Sequence, residues 1–380
     1  MNNSVQLGAY ISEYNVRNKN KNDLPVFSVT NSQGFCQQYF KKVVASQDQS
    51  TYKIVPKNYF AYNPSRINVG SIDWQRNEEQ VIVSPLYVVF KTSEQLNNQY
   101  LYYYLKSDVA LTYIRNLGQG SVRDNLKFSE LQKIPLKLYV LEKQERIAKK
   151  LDLISVLIEK RKQQLKKFDD LVKSRFIELF GDPINNEKGW EKKSLLQMGT
   201  LKNGMNFHSN DKGIQINCLG VGNFKNHSII SDTSLLPKIS LIQMPSDEYL
   251  LKNEDIVFVR SNGNKALVGR SLIVYPAEIP TTFSGFCIRY RLNINNMDVN
   301  YLLYVLKNDG VRQKLLGKGS NIQNLNQHIL GMLTIPVPPL ELQRYFARFI
   351  LQVDKSKLAI QKSLDELETL KKSLMQEYFG

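Results

Sequence analysis

Three histidines, His208, His227 and His328, are the whole imidazole complement of this 380-residue chain. None sits in an HxH or HExxH spacing, which argues against a metal site and against a His-based catalytic triad. Gly263-Asn264-Lys265 lacks the GxxxxGK[ST] pattern of a phosphate-cradling nucleotide loop. Tyr62-Asn63-Pro64-Ser65-Arg66 is similar to the Asn-Pro-Pro-Tyr of adenine methyltransferases, but the second proline and the aromatic are missing, so it reads as a turn. Asp182-Pro183 … Glu191-Lys192-Lys193 has the Asp … Glu-x-Lys order with which many nucleases hold Mg²⁺ and stabilise developing charge. Here Asp182 follows a helix-ending glycine, and a capping turn explains it better. Cys36, Cys218 and Cys287 are far apart and without metal-ligand spacing, which fits buried thiols in a reducing cytoplasm.

The remaining polar clusters suit contact. Arg260-Ser261-Asn262-Gly263-Asn264-Lys265 follows a strand-like run and is rich in donors that fit phosphates and purine edges. Gly118-Gln119-Gly120-Ser121, with Arg123 behind it, and Gly317-Lys318-Gly319-Ser320 are loops whose backbone N–H groups can approach a phosphate.

The elements that must position these loops occur twice. Leu141-Glu142-Lys143-Gln144 … Phe180-Gly181 lies over Leu340-Glu341-Leu342-Gln343 … Phe379-Gly380 at a constant offset, with Ala148 on Ala347 and Leu165 on Leu364. That period is far longer than the ~20–50 residues of a solenoid repeat and marks a duplicated module. Each copy ends in a long helix with a heptad seam. The first seam is Ile147, Leu151, Ile154, Ile158, Leu165, Phe168, Val172 and Leu179, with Arg161 and Arg175 in two slots. The second is Phe346, Ile350, Val353, Ile360, Leu364, Leu367, Leu374 and Tyr378, with Lys357 and Lys371 interrupting it. Each helix is expected to run about 50 Å at ~1.5 Å per residue, and each seam's obvious partner is the other.

Gly181-Asp182-Pro183 is expected to stop the first helix at a glycine C-cap. Before each helix comes a mixed α/β segment. Strand-like runs are Val81–Phe90, Asp255–Arg260, Leu267-Val268 with Ser271–Tyr275, and Gly285–Leu292, where Ile288, Tyr290 and Leu292 alternate with Arg289 and Arg291. Short aromatic helices follow at Tyr100–Lys106 and Tyr301–Lys307, then the glycine loops and an Ile-Pro at 134–135 and 335–336. The expected architecture is α/β mixed (α+β): two pseudo-two-fold-related globular domains joined by two long helices in an antiparallel coiled coil. The boundaries fall at 1–140, 141–182, 183–338 and 339–380.

With 42% hydrophobic and 10% aromatic residues the chain can build packed cores. Nothing in it approaches the ~18 apolar residues of a membrane span, and the opening Met1-Asn2-Asn3-Ser4 shows no signal-peptide pattern. The net charge is +16. Residues 141–181 contribute +4 and residues 340–380 contribute +1, which leaves +11 on the two variable segments. That excess is an electrostatic footprint for a polyanion such as a phosphate backbone.

Taken together the chain resembles the specificity subunits of type I restriction-modification systems over essentially its whole length. The resemblance is carried by Ile335-Pro336-Val337-Pro338-Pro339-Leu340-Glu341-Leu342-Gln343 and its weaker copy Ile134-Pro135 … Leu141-Glu142-Lys143-Gln144. Phe180-Gly181-Asp182-Pro183, Phe258-Val259-Arg260-Ser261 and Phe60–Arg66 add to it. The first copy departs by having Leu138-Tyr139-Val140 where the second has its proline pair.

The resemblance implies two target-recognition domains, each reading half of a split double-stranded DNA site, and two helices that set the gap between the halves. It also implies docking of two modification subunits, which bind S-adenosylmethionine and methylate adenine at N6. Where the system restricts, two restriction subunits using ATP and Mg²⁺ join them. The chain itself would carry no cofactor and no catalytic residue.

The residues expected to meet DNA are Ser65, Arg66, Gln119, Ser121 and Arg123 in the first half. In the second they are Arg260, Ser261, Asn262, Lys265, Lys318 and Ser320. Two other readings stand beside this one: a self-sufficient nuclease using Asp182, Glu191 and Lys193, and a coiled-coil scaffold with no nucleic-acid role.

Overall fold

The computed structural model describes residues 4–20, 23–37, 49–118, 125–207, 213–224, 228–316 and 324–380. The chain divides into two compact units, residues 1–165 with 360–380, and residues 166–359. The helices Leu141–Phe180 and Leu340–Phe379 are each cut by this division, so each begins in one unit and ends in the other.

Unit 1 is built on a four-stranded antiparallel sheet with strands in the order Ile11–Glu13, Val88–Thr92, Phe60–Tyr62 and Ile72–Trp74. A separate ribbon pairs Lys53–Pro56 with Gln80–Val83. The run Val81–Phe90 is therefore not one strand. Ser84 and Pro85 turn the chain, and the Tyr87 N–H closes that turn on the Ser84 carbonyl at 3.0 Å. Strand Ser4–Gln6 pairs with Pro135–Lys137, so the two ends of the globular part are tied together before the long helix starts.

The tyrosine-rich helix Asn98–Leu105 opens on the Asn97 side chain, which accepts from the Tyr100 N–H at 2.9 Å. It buries Tyr100, Leu101, Tyr103, Tyr104 and Leu105. The core they join also holds Ile147 and Leu151 from the first turns of Leu141–Phe180 and Phe379 from the last turn of Leu340–Phe379. The two helices are thus antiparallel within the unit. Beyond that core Ile154, Ile158 and Leu364 form a small cluster, with Leu165, Leu367 and Leu374 against it. A Lys162–Glu368 ion pair at 2.9 Å lies alongside.

Unit 2 is centred on a five-stranded sheet in the order Gly199–Asn203, Cys287–Leu292, Asp255–Val259, Ser271–Val274 and Ile229–Ile230. A three-stranded sheet, Lys238–Leu241, Ile214–Leu219 and Thr281–Phe283, accompanies it. Leu267 falls outside any strand, because Asn264 caps a single turn of 3-10 helix over Lys265–Leu267. Arg289 and Arg291 alternate with Ile288 and Tyr290, yet the face they point to is covered. Arg291 grips the buried Asp255 through two contacts of 2.8 Å, and Arg289 is 5% exposed.

Strand Lys192–Ser194 pairs with Thr334–Pro336 and closes this globular part as its counterpart closes the other. The helix Val299–Lys307 is capped by Asp298 and packs against Phe176 and Phe180 from the end of one long helix and Phe346 from the start of the other. Val172, Leu179 and Ile350 are partly buried against this core, Val353 is buried, and Phe168 and Ile360 are half-buried within their own units.

Both long helices run 40 residues, six residues earlier than the apolar seams begin. In the seam slot of Arg175 the side chain stays near solvent, over the Tyr345 ring and paired with Glu178 at 2.7 Å, and the core position is Phe176 instead. Gly181 has φ 75°, the left-handed conformation expected of the helix-ending residue, and its N–H returns to the Ile177 carbonyl at 2.8 Å. No described helix is long and apolar enough to cross a membrane.

Candidate nucleic-acid interface

Asp182, Glu191 and Lys193 have structural employment. The Asp182 carboxylate accepts the Ile184 and Asn185 N–H groups at 2.8 and 2.9 Å, as a capping turn requires. Glu191 gives its carbonyl to the Val337 N–H, and Lys193 is paired with Ile335 in the closing ribbon. Among the described residues no group of three or more His, Cys, Asp or Glu could hold a metal ion.

The polar loops are arranged alike in the two units. In unit 1 the strand Phe60–Tyr62 runs directly into Asn63–Arg66. The Asn63 side chain accepts from the Ser65 N–H at 3.1 Å and the Ser65 hydroxyl at 2.9 Å, and the Arg66 N–H donates to the Asn63 carbonyl. This tight turn leaves the side chains of Ser65 and Arg66 exposed. The segment after the first glycine loop is pinned to the same turn: Leu126 donates to the Pro64 carbonyl at 3.1 Å and accepts from the Tyr62 hydroxyl at 3.2 Å. Beside this junction lie two clefts of about 160 and 430 Å³, the smaller lined by Asn68, Arg115 and Gly118 and the larger by Asn125, Lys127 and Ser129.

In unit 2 the strand Asp255–Val259 runs into Arg260, and Leu325 donates to the Arg260 carbonyl at 2.8 Å, the counterpart of Leu126 on Pro64. Ser261 bridges to Asn324. The loop then makes two successive side-chain turns, Asn262 Oδ1 accepting from the Asn264 N–H at 2.8 Å and Asn264 Oδ1 from the Ala266 N–H at 3.1 Å. Lys265 is exposed at the end of it. Behind the loop Arg312 donates to the Ala266 and Val268 carbonyls at 3.3 and 3.4 Å. Burial and the neighbouring Arg270 both push its guanidinium below the usual arginine range. The Nε of Arg312 is buried without a partner. Asp309 offsets part of that depression, and the two guanidinium groups stay close to the loop.

Of the residues expected to meet DNA, the structure brings Ser65 and Arg66 to one junction and Arg260, Ser261, Asn262 and Lys265 to the other. Gln119, Ser121, Arg123, Lys318 and Ser320 lie outside the described residues, though the flanking segments of both glycine loops end at these junctions. The sequence reading missed Arg115, Lys127, Arg270 and Arg312. One signal was present: Arg115 stands 199 residues before Lys314, each in the last helical turn before a glycine loop.

The duplicated Gln144 and Gln343 also gain a physical reason. Both are fully buried. Gln144 Oε1 accepts from the Asn97 N–H at 2.9 Å, and its amide donates to the Gln95 and Tyr139 carbonyls at 2.9 and 2.8 Å. Gln343 repeats the pattern with the Asp298 N–H at 2.8 Å and the Asn296 and Pro338 carbonyls at 3.1 and 2.7 Å. Each glutamine clamps the start of the short aromatic helix to the start of the long one.

Residues 6–167 and 187–370 match the family model described as the type I restriction modification DNA specificity domain. The chain is 26% identical over 303 residues to the StySPI type I restriction enzyme specificity subunit of Salmonella potsdam, covering 74% of this chain and 64% of that one. It thus spans just under two thirds of that relative's length. To the MjaVIII specificity subunit of Methanocaldococcus jannaschii it is 24% identical over 316 residues, covering 78% of this chain and 72% of the relative.

Two solved structures share the fold. One is described as the structural basis of complex assembly and conformational transition of the type I R-M system, with a TM-score of 0.60 at 18% identity. The other is the S subunit of a type I restriction-modification system from M. genitalium, with a TM-score of 0.56 at 15% identity. Each covers 99% of this chain and 96% of its own.

Proposed function

The chain belongs to the type I restriction modification DNA specificity family, and from that membership we propose that it is the non-catalytic subunit that reads a bipartite double-stranded DNA site for a modification complex. The observation that carries this reading is the repeated junction. In each unit a strand end, a tight polar turn and the stem of a glycine loop are hydrogen-bonded together, Leu126 to Pro64 and Leu325 to Arg260, with exposed polar and cationic side chains around them. Such an arrangement presents donors at a fixed spacing to base edges and phosphates.

Residues 1–140 and 183–338 are the two target-recognition domains in this proposal, and 141–182 and 339–380 are the spacer between them. Ser65 and Arg66 read one half-site and Arg260, Ser261, Asn262 and Lys265 the other. Gln119, Ser121, Arg123, Lys318 and Ser320 complete the two surfaces from the glycine loops. The exposed outer faces of the long helices take two modification subunits, and restriction subunits join where the system cleaves. S-adenosylmethionine, ATP and Mg²⁺ belong to those partners. The setting is the cytoplasm, where the DNA is.

The test is to map N6-methyladenine across the genome in cells with and without this chain, and to repeat it with Arg260→Ala. The expected result is one split motif that vanishes without the chain, and whose preference is relaxed in one half by the variant. A motif that persists in cells lacking the chain overturns the proposal.

A further inference from the structure

One feature of both junctions is apolar. In unit 1 the strands Gln80–Val83 and Val88–Thr92 are joined by Ser84-Pro85-Leu86-Tyr87, and in unit 2 Thr281–Phe283 and Cys287–Leu292 are joined by Ser284-Gly285-Phe286. The two links are the same turn. The Tyr87 N–H donates to the Ser84 carbonyl at 3.0 Å, and the Cys287 N–H donates to the Ser284 carbonyl at 2.8 Å. In each, the third residue is a large apolar side chain held in solvent, Leu86 at 79% exposure and Phe286 at 61%. A single exposed leucine or phenylalanine needs no explanation. The same placement at the same turn in two halves that differ around it points to a use.

The turns sit beside the polar residues assigned to DNA. The Phe286 carbonyl accepts the Arg260 and Ser261 N–H groups at 2.8 and 3.3 Å, and Arg260 Nη1 reaches the Gly285 carbonyl at 3.3 Å. On its other side Gly285 donates to the Met205 carbonyl at 2.8 Å, and a Cβ at Gly285 would strike the Asn206 side chain. The turn is therefore stapled from both flanks, and Phe286 is presented on a rigid mount. In unit 1 the residue two beyond Leu86, Val88, pairs with Tyr62 immediately before the Asn63–Arg66 turn, and Val88 and Pro64 line the same cleft. Proline supplies the stiffness there that packing supplies at Gly285.

We propose that Leu86 and Phe286 are apolar base-contacting residues, one for each half-site, which meet thymine methyl groups or the faces of a base step beside the polar contacts of their own loop. This rests on the reading of the chain as a DNA-specificity subunit.

The experiment uses the full chain produced with its modification subunit, and duplexes carrying the motif that this complex methylates. Leu86→Ser and Phe286→Ser are compared with wild type, and unchanged thermal melting shows that the fold is kept. Each serine variant is expected to weaken cognate binding roughly tenfold, the size of one mismatched pair. Each also relaxes methylation preference at one position of its own half-site, while random-duplex affinity and its salt slope stay as they were, because no phosphate contact is lost. Phe286→Leu retains most of the affinity.

Uracil in place of thymine reproduces the loss if the contact is to the methyl. If it is a wedge, 2-aminopurine fluorescence rises with wild type and not with Phe286→Ser. Serine variants that bind and select like a competent wild type overturn this inference alone. A wild-type complex that prefers no duplex overturns the functional reading, and this inference with it.

Discussion

The two units share a frame and differ in what it carries. In unit 1 Tyr100 packs on Phe379 with ring centroids 5.3 Å apart, and its hydroxyl donates to the Lys137 carbonyl at 2.6 Å. In unit 2 Tyr301 packs on Phe180 at 4.7 Å and donates to the Pro336 carbonyl at 3.2 Å. A buried glutamine locks the entry to the long helix in both. The sheets do not match: four strands centre one unit, while five strands with a separate three-stranded sheet centre the other. The polar junctions hold the same hydrogen bond, donated by a leucine in both and accepted by Pro64 in one and Arg260 in the other. Divergence is thus tolerated where side chains face outward from a fixed backbone, and resisted where one side chain satisfies several buried groups or fills a shared aromatic core.

The sharpest way to break this comparison is at the aromatic contacts. Phe180→Ala and Phe379→Ala each remove a ring that is 1 and 4% exposed, and each is expected to cost about 3–5 kcal/mol, measured by denaturant unfolding. Because each phenylalanine closes the unit other than the one whose globular part precedes it, hydrogen exchange is expected to rise in unit 2 for Phe180→Ala and in unit 1 for Phe379→Ala. The opposite pattern would dissolve the pairing.

The glutamines come next. Gln144→Leu and Gln343→Leu each strand an N–H and two carbonyls, at an expected cost of about 2–3 kcal/mol. Near-equal losses would show that the clamps are equivalent, and a loss confined to one would show that they are not.

The smallest effect is a pH dependence. Burial lowers the ammonium of Lys106 to about 8 against the favourable charge of Asp73, with Arg76 and Lys371 adding to the depression. Burial also lowers Lys307 to about 8, with Asp354 opposing and Arg270 assisting. An unfolded lysine titrates near 10.5, so between about pH 8 and 10 the unfolded chain holds more protons than the folded one and stability rises with pH. The penalty of burying each charge is fully present below pH 8. Lys106→Met and Lys307→Met are each expected to flatten the rise measured from pH 7.5 to 9.5, by similar amounts.

The frame was legible in the sequence because it is written in side chains with few substitutes: the glutamine at the head of each helix, the phenylalanine at its foot and the tyrosines between. The helix seams were less so. A heptad assigns Arg175 to a core slot, but near its end the helix meets both the start of the other long helix and the aromatic helix of unit 2, and it is Phe176 that is buried between Phe346, Tyr301 and Tyr304. The strand-like run Val81–Phe90 hid a turn because Ser84-Pro85 is flanked by apolar residues, Val83 before and Leu86-Tyr87 after, and periodicity does not register a reversal of direction. Ser65 and Arg66 could be singled out from turn chemistry. Arg312 could not, since what brings it to the Ala266 carbonyl is packing between segments more than forty residues apart.

The exchange of helix ends between the units has a kinetic consequence. Every residue of unit 2 has been synthesised once the chain reaches residue 359, whereas unit 1 lacks Phe379 until twenty residues later. Its sheet and tyrosine helix are made first and completed last, by a contact closing a loop of more than two hundred residues, the kind of long-range closure that slows folding. The earlier half therefore lacks the ring that fills its aromatic core until the last turn of the second long helix is made.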